Sequence, residues 1–98
     1  MANITNISSS ALVAYGVRQA VTANNLANAT TPDFKAASTV LKENKSGGVS
    51  ASVSQGSENV EISREAVAMN VTSNGLKASL KLLQAEDEMS RAVLNIKA

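Results

Sequence analysis

The chain contains an abrupt helix stop between Val21 and Lys35, and this stop constrains the fold more than any other feature. Three asparagines, Asn24, Asn25 and Asn28, lie close together in it. Asn is unfavourable inside a helix because its amide competes for backbone hydrogen bonds. Pro32 then excludes a helix interior and disfavours helical backbone at the residue before it. A helix must therefore end here, and the chain must leave it in a new direction.

A helix is predicted before this stop, over residues 10–29, with three consecutive serines as candidate N-caps. Its apolar residues fall on two opposite sides. One side carries Leu12, Tyr15 and Leu26, and the other carries Val13, Val17 and Val21. Two helices alone can bury only one of these sides. This helix is therefore either simply rich in Ala and Val, or packed both on a second helix and on neighbouring subunits.

A longer helix is predicted over residues 61–96 from a heptad pattern. One seam position carries Ile62, Met69, Leu76 and Leu83, and the other carries Ala66, Ser73, Leu80 and Leu94. Gly75 lies in the middle, where it either permits a close helix approach or weakens the helix into a bend. This helix is much longer than the first, so its distal part needs another partner or is disordered in the free protein.

The segment between the helices, residues 30–60, is rich in Ser, Thr, Gly, Lys and Asn. Two short strands, Ala37–Glu43 and Val49–Gln55, are compatible with it, with Gly47 and Gly48 supplying positive φ in a hairpin turn. A flexible Ser/Gly linker is the alternative. The predicted fold is mainly α: residues 1–98 form one domain in which two antiparallel helices, short then long, pair as a coiled coil.

The composition argues for association with other chains. Of the 98 residues, 44% are hydrophobic but only 2% are aromatic, so few large side chains are present to fill a core. Small domains usually compensate through disulfides, metals or oligomerisation. Cys and His are both absent, which removes the first two routes in their common forms. Oligomerisation remains.

Several classes of function are disfavoured. Without His or Cys the commonest catalytic groups are missing, so we expect no enzyme and no catalytic, cofactor-binding or metal-binding residues. The carboxylates of Glu86, Asp87 and Glu88 point in different directions on a helix. A net charge of +1 with scattered basic residues disfavours nucleic acid as a partner. No membrane span is expected, since no apolar run reaches about 18 residues. No small-molecule substrate is expected either.

Residues 23–35 resemble the N-terminal signature of the bacterial flagellar rod and hook-basal-body proteins, roughly A-N-N-x-A-N-x-x-T-P-G-Y/F-K. The positions that match it are Asn24, Asn25, Leu26, Asn28, Thr31, Pro32 and Phe34. Asp33 departs from the usual Gly, which would allow a tight turn. The C-terminal half is similar to the family in Glu65–Met69, Ala78–Leu83 and Ala85–Met89.

The resemblance implies a structural subunit of the flagellar basal-body rod, which self-assembles through its terminal helices into a helical tubular polymer. Its implied partners are copies of itself, other rod proteins and the flagellar type III export apparatus. The implied location is the periplasmic rod, reached without a cleaved signal peptide. In this interpretation the asparagines cap the helix end and bind the exit loop, Pro32 sets the chain direction, and Phe34 anchors the loop. The alternative is a cytoplasmic helical adaptor or chaperone-like module that presents an apolar helix face.

Overall fold

The computed structural model describes residues 4–97, in the order helix, strand, strand, helix. Helix α1 spans Ile4–Ala27, strands β1 and β2 span Ala37–Glu43 and Val49–Gln55, and helix α2 spans Ile62–Lys97. The mainly helical fold, with a short helix, a long helix and a hairpin between them, is as predicted.

Helix α1 begins six residues before the predicted start, because the serines are not caps. Ser8 is buried and its hydroxyl donates to Glu86 of α2 over 2.9 Å. The Ser10 hydroxyl donates to the backbone carbonyl of Ile7 over 2.7 Å and accepts from the Val49 amide over 2.9 Å. These hydroxyls are used inside the fold, so the helix continues through them.

The two helices run antiparallel. Ser8, near the start of α1, contacts Glu86 in the second half of α2, whereas Asn25, near the end of α1, contacts Glu65 in the first turns of α2. Residues 87–97 of α2 therefore continue past the Ser8 contact by roughly 16 Å at 1.5 Å per residue. Every side chain described in this extension is exposed.

The connector is a regular antiparallel hairpin, not a flexible linker. The register pairs Ala37 with Gln55 and Glu43 with Val49. In the turn, Gly47 and Gly48 have φ of 99° and 86°, a region that glycine enters without steric cost. Since an isolated hairpin is marginal in water, its contacts with α1 are what stabilise it.

Hairpin and helix match in length. The seven-residue strands span roughly 23 Å, close to the roughly 22 Å between Ser10 and Asn25 along α1. Contacts occur along that whole length: Val49 binds Ser10, the Thr39 carbonyl accepts from Arg18 over 3.4 Å, and Ala37 binds Asn25.

The molecule is elongated, with extents of 63 × 25 × 14 Å and a radius of gyration of 17.2 Å. A compact domain of this length has a radius of gyration of about 13 Å. Among the described residues, Ala14 is the only buried hydrophobic one. The described fold therefore has almost no fully buried hydrophobic core.

Candidate assembly site

The buried centre of the helix exit is Asn25, whose side chain is 1% exposed. Its amide oxygen accepts from the backbone N–H of Ala37 over 3.0 Å, and its amide nitrogen donates to the Ala37 carbonyl over 2.8 Å. The same nitrogen donates to Glu65 Oε1 over 3.1 Å. Only an amide offers an acceptor and two donors in one plane. Asn25 therefore joins α1, β1 and α2 through one side chain.

The end of α1 is capped by Asn28. Its side-chain amide donates to the backbone carbonyl of Asn24 over 2.9 Å, and its backbone N–H reaches the same carbonyl over 3.1 Å. Its side-chain oxygen accepts from the Thr31 hydroxyl over 3.1 Å. Carbonyls in the last turn of a helix lack intrahelical partners, so these bonds satisfy one of them.

A tight turn follows at Thr31–Phe34. The Phe34 amide donates to the Thr31 carbonyl over 3.3 Å, and Asp33 has φ of 61°. Proline at the second position and positive φ at the third match a type II turn, in which Gly is favoured third. Asp33 replaces that Gly without loss of the turn, since Asp tolerates left-handed backbone better than most residues.

The motif has both buried and accessible members. Asn25 is buried, and Leu26, Asn28 and Phe34 are half-buried. Asn24, Thr31 and Pro32 are exposed. The motif thus shapes the helix exit from inside and also presents a polar surface on which another molecule can pack.

The residues predicted to pair the helices divide into two groups. Those that are half-buried are Leu12, Tyr15, Leu26, Met69, Leu76 and Leu83. Ile62 and Leu80 need correction, because they are 61% and 53% exposed and lie on a side of α2 that faces solvent. The heptad position of Met69, Leu76 and Leu83 is therefore half-buried, whereas Leu80 of the other position is exposed.

The fully buried positions between the helices are mostly polar. The polar ones are Ser8, Thr22 and Asn25 on α1, and Glu65 and Thr72 on α2. Analysis of apolar periodicity misses such residues. A polar heptad was nevertheless visible, because Glu65, Thr72, Ser79 and Glu86 recur every seven residues.

A groove with a volume of about 280 Å³ lies where α1, α2 and β1 meet. Val21, Ala68 and Val71 line it together with Arg18 and Thr72. Within residues 4–97 no cluster of carboxylates has the geometry to hold a metal ion, and no helix has the length and apolarity to cross a bilayer. The groove offers apolar surface and hydrogen-bonding groups, which suit packing against another chain.

The helix exit built by Asn25, Asn28 and the Pro32 turn falls within a recognised family segment. Residues 5–35 match the family of flagella basal body rod proteins. The resemblance drawn from the motif is thereby confirmed for α1 and its exit, and the family is one of structural proteins. No curated protein matches the chain.

Proposed function

We propose that this chain is a structural subunit of the flagellar basal-body rod, which assembles through its two helices into a helical tubular polymer. The observation that carries the proposal is the distribution of polarity. The interior seam is polar, with Asn25, Glu65 and Thr72 among its buried residues, whereas large apolar side chains face solvent along the helices.

This distribution is the reverse of that in a self-sufficient small domain. Thirteen large hydrophobic residues are exposed among those described, including Val13 on α1 and Leu94 on α2. Burying such surface is favourable by about 25 cal/mol per Å². Because the apolar surface lies on several sides, a single partner cannot cover it, and repeated contacts with copies or related subunits do.

In this proposal the partners are copies of the chain and other rod proteins, and the α1–α2 pair acts as a coiled coil in the assembled rod. Location in the periplasm and delivery by the flagellar type III export apparatus without a cleaved signal peptide belong to the same proposal. The family match over α1 and its exit supports it.

The test is a gene deletion in the source bacterium, complemented with tagged variants and scored for motility. The tagged chain is expected in purified basal bodies. Variants Asn28→Ala and Pro32→Gly should impair motility at normal protein levels, because they remove the helix cap and the turn that shape the helix exit. Recovery of the chain only from the cytosol would support the adaptor function and exclude the rod.

A further inference from the structure

Helix α2 has an exposed apolar stripe that α1 does not cover. Its members, here called the α2 stripe, are Val67, Val71, Ala78, Leu82, Ala85, Met89, Val93 and Ile96, all exposed. At 100° per residue they fall within roughly a quarter of the helix circumference. The six larger side chains are each more than half exposed.

The size of the stripe points to a macromolecular partner. From Val67 to Ile96 it runs roughly 44 Å along the helix, and contiguous apolar patches of this extent on soluble monomers usually mark interaction sites. The stripe is also continuous with the groove between α1, α2 and β1, because Val71 belongs to both. An elongated, straight partner such as another helix fits this shape.

We propose that the α2 stripe binds the same stripe of a second copy in antiparallel orientation, so that the free chain is a two-fold dimer. The charges beside the stripe favour this occupant. Lys77 and Lys81 flank its first half and Glu88 flanks its second half, all exposed. Within residues 4–97 neither Lys77 nor Glu88 makes an ion pair, since those of α2 involve Arg64 and Arg91.

Only one orientation pairs these charges. An antiparallel arrangement centred on Leu82 brings like flanks together and places Lys77 beside Glu88 of the second copy, whereas a parallel, in-register arrangement puts the charged flanks of the two copies on opposite sides of the interface. Complementary flanking charges select orientation and register more than they add affinity. The antiparallel arrangement thus forms two Lys77–Glu88 pairs, which outnumber the one unfavourable approach between the two Lys81 side chains near the axis.

The sizes of the side chains are also self-complementary about the same centre. Ala78 and Ala85 lie on either side of Leu82, so they face each other across the two-fold axis and allow close approach. Val71 then faces Val93 of the second copy. The interface uses one patch of each copy against itself, which is an isologous contact.

This dimer goes beyond the rod function and does not depend on it. An isologous contact closes on itself, whereas a rod requires contacts that repeat in one direction. The dimer therefore covers the stripe in the free chain, and assembly has to replace it.

The orientation is tested by cross-linking, for which the absence of Cys from the chain is an advantage. Chains carrying Lys77→Cys or Glu88→Cys are treated with a short bismaleimide. A mixture of the two should give a cross-linked dimer, and each variant alone should give little. Absence of the mixed cross-link in a chain that sediments as a dimer would indicate a different arrangement and overturn the proposal.

The surface is tested by a matched pair of substitutions. Leu82 and Leu80 are 51% and 53% exposed, but they lie 200° apart on α2 at 100° per residue. Leu82→Glu places two like charges at the two-fold axis and should raise the dimer dissociation constant at least tenfold. This corresponds to a loss of about 1.4 kcal/mol in the free energy of association. Leu80→Glu makes the same chemical change away from the stripe and should leave the dimer intact.

The readout is sedimentation equilibrium of the full chain, with circular dichroism to confirm that both variants retain their helices. A dimeric wild type, a dimeric Leu80→Glu variant and a dissociated Leu82→Glu variant would support the proposal. A wild type that is monomeric throughout the micromolar range would overturn it, as would equal dissociation of both variants. Motility does not enter the readout, so failure here is distinct from failure of the rod function.

Discussion

The aromatic ring of Tyr15 lies directly against Gly75, where an added Cβ atom would come within 2.8 Å of the ring Cζ atom and 2.9 Å of Cε1. The Tyr15 ring therefore leaves no room for a side chain at position 75, which explains a glycine in the middle of α2 despite its low helix propensity. Of the two readings of this glycine, close approach is the one that the contact supports.

Replacement of Gly75 should therefore destabilise the fold. Alanine improves helix propensity by about 1 kcal/mol, but overpacking a close contact typically costs about 1–3 kcal/mol. We expect Gly75→Ala to lower the free energy of unfolding by about 1 kcal/mol net, measured by urea denaturation at one fixed protein concentration.

Gly16 provides the matched control. It lies within α1, and a Cβ there would meet nothing within 4 Å. Gly16→Ala should raise the free energy of unfolding by up to about 1 kcal/mol through propensity alone. If both glycine variants were stabilised equally, the Tyr15 contact would be energetically irrelevant.

Asn25 should be the most sensitive position of the helix exit. Asn25→Ala leaves the N–H and carbonyl of Ala37 and the Glu65 carboxylate without their partner, and each unsatisfied buried group costs about 1–3 kcal/mol. We expect a loss of about 3 kcal/mol in the free energy of unfolding, and Asn25→Asp should not rescue it because a carboxylate lacks the two N–H donors.

The control for Asn25 is its neighbour. Asn24 is exposed, and within residues 4–97 its side-chain oxygen accepts a hydrogen bond only from Asn28, over 3.3 Å. Asn24→Ala should change the unfolding free energy by less than about 0.5 kcal/mol. A comparable loss at both positions would mean that local helix termination, and not the link between α1, β1 and α2, is the role of Asn25.

Features encoded by local chemistry could be predicted from the sequence. The hairpin bounds follow from the Gly47–Gly48 turn and the period-two alternation in β2, and the end of α1 follows from the Asn28 cap and Pro32. The start of α1 and the polar members of the helix seam were missed because they depend on tertiary hydrogen bonds. Ser8 resembles a cap until Glu86 is placed opposite it, and the burial of Thr72 is invisible to an analysis that counts apolar residues.

Glycine in place of Asp33 should stabilise the turn. Its φ of 61° lies in the left-handed region, where Gly is free of the steric penalty that side chains experience. Asp33→Gly should raise the free energy of unfolding by about 0.5–1 kcal/mol after allowing for the greater entropy of Gly in the unfolded chain. Asp33→Val should lower it, because a β-branched residue is strongly disfavoured at positive φ. Thermal and urea unfolding of both variants measure this, and a stabilised Val variant would contradict a left-handed residue at this position.

Thr72 tests whether the polar seam is a weakness of the isolated chain. Its side chain is fully buried, and its hydroxyl has no hydrogen-bond partner among residues 4–97. Thr72→Val keeps the shape and removes the unsatisfied hydroxyl, so it should raise the free energy of unfolding by about 1 kcal/mol. Thr72→Ser keeps the hydroxyl and removes a methyl group, so it should lower the unfolding free energy by about 1 kcal/mol. Urea denaturation of the two variants separates the effects, and a destabilised Val variant would mean that the hydroxyl binds a group such as water in solution.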